Sequence, residues 1–254
     1  MRCLFTLTPA ESKRLIARAV ARMPEVREAF ESGRVIIAGG TTNAFVAEEL
    51  LGVKLEKGRY TAGVITKGRL AITPVEHRLP VFALKGGRPV EGPWESLLKE
   101  FGPDDVFIKG ANAIDMEGNA GILVGGASGG TIGTALPVIS AKGAHLIMPV
   151  GLEKLVPSVI DAARLMGLDK FGYVTGTPCG MIPVVNGTIV TEVEAFAILG
   201  NACATHVASG GVDGCEGACS FVVEGEDKDM EAVVELVKSI KGEPPISSEV
   251  KPGG

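Results

Sequence analysis

Four apolar residues, Val35-Ile36-Ile37-Ala38, run straight into Gly39-Gly40-Thr41-Thr42 and then into a segment whose apolar residues, Phe45, Val46, Leu50 and Leu51, recur at helical spacing. A short, continuous β-branched run bounded by glycines predicts a strand buried on both faces, and the change of period predicts strand, turn, helix. A strand of this kind needs covering helices, which narrows the chain to folds that alternate strands with helices.

The rest of the sequence carries the alternation on. Strand patterns fall at 62–66, 70–75, 80–84, 106–109, 121–124 and 145–150, with helical patterns at 94–101, 131–142 and 152–166. Thr8-Pro9-Ala10-Glu11 combines an N-cap hydroxyl, a first-turn proline and a glutamate placed to close a capping box, so a helix starts there. Leu15, Ile16, Val20 and Met23 continue it, and Pro24 either breaks it or begins a second short helix that ends at Gly33. After Gly167 the texture changes to shorter extended pieces at 181–185, 188–190, 205–208 and 220–223, with helices at 192–199 and 227–240. The expected architecture is α/β. Residues 1–170 form a three-layer αβα Rossmann-like ligand-binding domain, with strands near Val35, Val106, Leu123 and Leu146 in one mainly parallel sheet. Residues 171–254 form a small α+β subdomain ending in a tail from Pro244.

Composition limits what such a fold binds. Hydrophobic residues make up 46% of the 254, enough for a sizeable core without disulfides or metals. A net charge of −5 without a Lys/Arg stripe argues against nucleic acid and acidic membrane surfaces, leaving a small molecule or another protein. A homo-oligomer is admitted alongside a monomer. No apolar run reaches the length of a membrane span, and Met1-Arg2-Cys3-Leu4-Phe5 leads into a charged helix instead of a signal-peptide core, so a cytoplasmic location is expected. Five dispersed cysteines suit reduced thiols there.

Three glycine-rich turns, each after a strand pattern, are the candidate ligand-binding residues. In the first, Gly39 and Gly40 free the backbone, and Thr41, Thr42 and Asn43 offer side-chain donors beside the unpaired N–H groups of a helix start, an arrangement that attracts anions. In the second, Lys109 supplies a countercharge, with Gly110, Asn112 and Asp115 beside it; Asn112 and Asp115 read equally as turn residues bonding their own backbone. The third, Gly125-Gly126-Ala127-Ser128-Gly129-Gly130, would let a ligand approach the backbone at Gly125, Gly126 and Ser128, or serve packing alone. The expected partner is an anionic small molecule, and no cofactor is expected.

In this order the three turns resemble the phosphate loop, catalytic run and glycine-rich loop of ribose-5-phosphate isomerase A. That enzyme shares a superfamily with glucosamine-6-phosphate deaminase and the coenzyme A transferases. Gly110-Ala111-Asn112-Ala113-Ile114, Leu136-Pro137 and Gly151-Leu152-Glu153-Lys154-Leu155-Val156-Pro157-Ser158 look closer still to the lactate-utilisation domain of the same superfamily. The resemblance spans residues 34–163 and implies a phosphorylated or coenzyme A-type ligand. Where the isomerase has acidic residues this chain has Lys109, Asn112 and Ala113, so isomerase activity is not expected. Asp115 and Glu117 are the nearest carboxylates, and Glu192 or Glu194 are the only suggestions for a transferase-type glutamate. Catalytic residues stay unassigned. The alternative is a catalytically inactive regulatory or interaction protein of the lactate-utilisation type.

Cys203, His206, Cys215 and Cys219 supply three thiols and an imidazole within 17 residues, chemically sufficient for zinc, but their spacing is not that of paired knuckles. The competing reading is a cluster of small buried residues, and no metal is expected. Cys179 is a lone turn thiol; His77 and His145 are isolated.

Overall fold

The structure, a computed structural model, describes residues 1–247. The chain opens with β1 (Arg2–Leu7), α1 (Pro9–Val20), α2 (Pro24–Ser32), β2 (Arg34–Ile37) and α3 (Thr41–Leu51). There follow β3 (Gly63–Thr66), β4 (Arg69–Ile72), β5 (Phe82–Lys85), β6 (Arg88–Pro89), α4 (Trp94–Lys99) and β7 (Val106–Ile108). Next come β8 (Ala113–Ile114), β9 (Ala120–Val124), α5 (Gly130–Lys142), β10 (His145–Pro149) and α6 (Val159–Leu165). The last elements are β11 (Gly180–Val184), β12 (Thr188–Val190), α7 (Glu192–Gly200), β13 (Cys203–Gly210), β14 (Ala218–Glu224) and α8 (Asp227–Ile240).

Local sequence fixes several of these ends. Thr8 and Glu11 close the capping box of α1 reciprocally: Thr8 Oγ1 accepts from the Glu11 N–H at 3.3 Å, and a Glu11 carboxylate oxygen accepts from the Thr8 N–H at 2.9 Å. Pro24 takes the first position of α2, where its missing N–H has no helical role. Thr191 and Glu194 form a second capping box at α7.

The central sheet has the order β12-β10-β7-β2-β5-β6. β2, β7, β10 and β12 run parallel, with Val35 opposite Val106 and Val106 opposite His145; β5 and β6 add antiparallel at one edge. Alternate side chains of β2 and β7 leave on opposite faces. Val35, Ile37, Val106 and Ile108 pack with Leu15, Ile16, Phe45, Val46 and Phe196 in one apolar cluster. Ile36 and Phe107 pack with Leu97, Leu98, Ile132 and Ile139 in another.

Leu123 does not join this sheet as expected. It lies in β9, which pairs antiparallel with β8 and with β11, Leu123 facing Met181. The cause is the tight turn 115–119 between β8 and β9: strands joined so closely pair antiparallel, whereas a parallel neighbour needs a long crossover. The boundary expected at residue 170 is crossed by backbone pairing in several places, among them a parallel bridge between Leu70 and Gly176. β11 binds β9, β12 extends the central sheet beside β10, and β14 binds β1 from the opposite end of the sequence. β1 itself, alternating exposed and covered residues, was hidden in a stretch that reads as the approach to a helix. The expected tail divides. Its residues 248–254 lie outside the described residues, whereas Ile246 packs against the core, held there by an apolar surface that tail composition does not reveal.

Among the described residues no helix is long and apolar enough to cross a membrane. All five cysteines are unpaired.

Candidate functional site

The parallel strands β2, β7 and β10 end on the same side of the sheet, and the segments that follow them line a cavity of about 910 Å3, within the usual range for small-molecule sites. Its floor includes Gly39, Gly40, Thr41 and Thr42 after β2, and Lys109, Gly110 and Asn112 after β7. One wall is Gly125, Gly126, Gly129 and Gly130; the β3–β4 hairpin forms another, and Pro245 and Ile246 reach the rim. A smaller hollow of about 240 Å3 near Gly33 and Asp105 sits beside the ion pair of Arg34 and Asp105 and brings no further charged residue to the cavity.

The first turn is fixed from behind. Gly40 N–H donates to the Tyr60 carbonyl at 2.7 Å, and the Tyr60 hydroxyl donates to the Ile37 carbonyl. Asn43 is fully buried, and its amide donates to the carbonyls of Ala38 at 2.7 Å and Ile108 at 3.3 Å, tying the ends of β2 and β7 together. It does not line the cavity. Gly40 leaves α3 without a side-chain cap, so the N–H groups of the first turn, beside Thr41 and Thr42, remain available to an anion.

In the second turn the residues divide between cavity and scaffold. Asp115 lies away from the cavity and accepts from the N–H groups of Glu117, Asn119 and Val159 and from the Asn119 side chain, at 2.9 to 3.1 Å. This is the turn-former reading of that residue. Asn112 touches the cavity, yet its side-chain oxygen accepts from the Leu123 N–H at 3.0 Å and helps hold β9. Lys109 lines the cavity with its ammonium 3.3 Å from the Gly110 carbonyl. Burial, then the positive charge of Lys154, pushes it down to about 8.

In the third turn Gly125 and Gly126 line the cavity, whereas Ser128 is exposed and stands outside the lining. Gly129 has φ +74°, and a Cβ there would lie 2.9 Å from Ile182 Cδ1, so this position requires glycine for the bend and for space.

Sequence reasoning missed two cations and Glu153 behind them, and offered Glu192 only as a transferase-type glutamate. Lys13 of α1 and Lys154, just past β10, both line the cavity. Their ammonium groups lie 2.8 and 3.1 Å from the same oxygen of Glu153. Burial alone would raise the Glu153 carboxyl, but Lys154 and Lys13 outweigh it and hold it at about 2. Glu192, fully buried at the start of α7, is pushed up by burial and by the negative charge of Glu153. One of its oxygens accepts from the Leu152 N–H at 2.9 Å, and the other has no partner among the described residues. Lys154 was legible as a charged residue just past a parallel strand; Lys13, well inside α1, carries no local signal.

The cysteine and histidine candidates do not converge as a set of four: His206 and Cys219 both reach Ser209, and Cys203 lies apart. Cys203 is opposite Glu224 at one end of the β13–β14 pair, whereas Cys219 is opposite Ser209 near the other. His206 bonds Ser209 and packs against Phe221 with the rings tilted by 34°, 5.4 Å between centroids. Among the described residues no group of three or more His, Cys, Asp or Glu side chains is placed to hold a metal. Cys179 lines the cavity, but burial raises its thiol and keeps it protonated.

No family model, curated protein or solved structure matches this chain in comparisons with known proteins.

Proposed function

We propose that this chain binds a phosphorylated or coenzyme A-type anionic metabolite in the cavity, on a three-layer αβα Rossmann-like domain related to ribose-5-phosphate isomerase A and the coenzyme A transferases. The observation that carries the reading is the convergence of Lys13, Lys109 and Lys154 on one cavity that also contains the uncapped start of α3. A helix N-terminus contributes only ~0.3 to 2 kcal/mol to a bound charge, so the three ammonium groups supply what the turn alone lacks. The two apolar clusters that divide the side chains of β2 and β7 support the layered fold. The five unpaired cysteines fit a cytoplasmic setting.

A thermal-shift screen of sugar phosphates, nucleotides, coenzyme A esters and small carboxylates tests this. A ligand at ~100 times its Kd adds ~2.7 kcal/mol, and a domain of this size gains roughly 2 to 4 °C in Tm per kcal/mol. Replacing Thr41 and Thr42 together by alanine should weaken an identified ligand by ~1 to 3 kcal/mol. Equal binding by the double variant would remove the turn from the site.

A second reading, a regulatory or interaction protein without catalysis, is favoured by one observation. Asp115, the carboxylate nearest the run that resembles the isomerase's catalytic one, accepts four hydrogen bonds from its own turn and from Val159. Ribose 5-phosphate should not be isomerised by the pure protein, and robust turnover would refute this reading.

A further inference from the structure

Of the three lysines in the cavity, Lys13 and Lys154 share Glu153, whereas Lys109 has no carboxylate within ion-pair distance among the described residues. Among the described residues the single hydrogen-bond partner of its ammonium is the Gly110 carbonyl at 3.3 Å. Lys109 is also held at the end of a strand buried along its whole length, so its side chain rises from the rigid floor of the cavity. The charged groups that share the cavity with it are Lys13 on α1, Lys154 after β10, Arg78 and, at 216 and 243, two glutamates. Glu243 is engaged with Arg14 at 2.9 Å, and Arg78 bonds the Thr73 carbonyl. An amine in a partly dry cavity, repelled by a neighbouring ammonium and without a counterion of its own, loses its proton more readily than a surface lysine.

We propose that Lys109 is a nucleophile that captures an aldehyde or ketone as an imine, so that the ligand of this cavity is a carbonyl compound carrying an anionic group. The anionic half of the statement rests on the function proposed above; the carbonyl half rests on Lys109 alone. The Nζ lone pair attacks the carbonyl carbon and forms the C–N bond. The carbonyl oxygen takes up the two protons that the amine gives up and departs as water, leaving a C=N bond with no oxidant or reductant consumed. Lys13, Lys154 and the start of α3 hold the anionic group, which places the carbonyl carbon within reach of the amine.

The test uses pyridoxal 5′-phosphate, which joins an aldehyde to a phosphate, at limiting concentration with the full chain, followed by borohydride reduction and peptide mapping by mass spectrometry. Lys109 should be the principal labelled residue. Its labelling rate should rise with a midpoint near pH 8, the value at which its ammonium is held. At pH 7 about one-tenth of such an amine is neutral, roughly 300 times the fraction for a lysine of ordinary pKa near 10.5. Lys154→Met removes the repelling charge and should move the midpoint upward. Lys109→Arg should abolish the principal adduct while keeping Tm, and the parent chain should bind pyridoxine 5′-phosphate, an alcohol that cannot form an imine. If pyridoxine 5′-phosphate binds but label spreads over the surface lysines, or Lys109→Arg is labelled as heavily as the parent, the nucleophile is refuted and the anion site stands. If Lys109 is labelled equally well by pyridoxal without its phosphate and pyridoxine 5′-phosphate does not bind, the anion site fails and the nucleophile stands.

Discussion

Lys13 Nζ lies 2.8 Å from Glu153 Oε1, and this contact joins the first helix of the chain to the segment that follows β10. Both side chains are largely buried, 9% and 14% exposed, so the pair belongs to the interior and not to the screened surface. Removing one partner therefore strands the other. Glu153→Ala should destabilise the fold by ~3 to 5 kcal/mol, measured by denaturant unfolding, because it leaves Lys13 and Lys154 without their shared counterion. A loss below 1 kcal/mol would show that the two ammonium groups are solvated.

The same carboxyl sets an acid limit. Glu153 is held at about 2 in the folded state against an ordinary 4.5, so its contribution is complete above the unfolded value and is lost as pH falls through the folded one. Stability should decline between about pH 4.5 and pH 2, and Glu153→Gln should flatten that part of the profile.

Glu192 behaves in the opposite sense. Burial and then Glu153 raise it, so the folded chain holds a proton there that the unfolded chain releases, and stability falls as pH rises above 4.5. Glu192→Gln keeps an acceptor for the Leu152 N–H and removes the ionisable group. Its melting temperature should gain on that of the parent as pH rises above the ordinary carboxyl value of 4.5. A margin independent of pH would show that Glu192 does not titrate in this way.

Asn43 separates scaffold from ligand site. Asn43→Ala removes the buried donor to Ala38 and Ile108 and should cost ~1 to 3 kcal/mol of stability in denaturant unfolding. Thr41 is only partly covered and should tolerate alanine at ~0.5 kcal/mol. Equal losses at the two positions would contradict this division of labour.

How far the site can be read from sequence follows the range of the interactions. The run Val35-Ile36-Ile37-Ala38 with its two glycines announces a strand, a turn and α3 because each step is decided within a few residues. The same holds for the capping box at Thr8 and Glu11. Asn43 looked like a ligand donor because a side-chain amide at a helix start has that role open to it; its use depends on Ile108, 65 residues away. Lys13 meets its counterion Glu153 at the cavity across a separation of 140 residues. Leu123 was misplaced for the converse reason: its apolar run suits any buried strand, and only the turn organised by Asp115 decides that the partner is antiparallel.

The pairing of β1 with β14 bears on the order in which the molecule can assemble. Arg2 and Glu224 bond across a separation of 222 residues, so β1 waits for β14 to be made before its backbone groups are satisfied. Until then its alternating apolar side chains are open to other partners, and closure of so long a loop is a slow step. A nascent chain stalled before β14 would thus carry the turns of the cavity with one whole strand, β1, still unpaired.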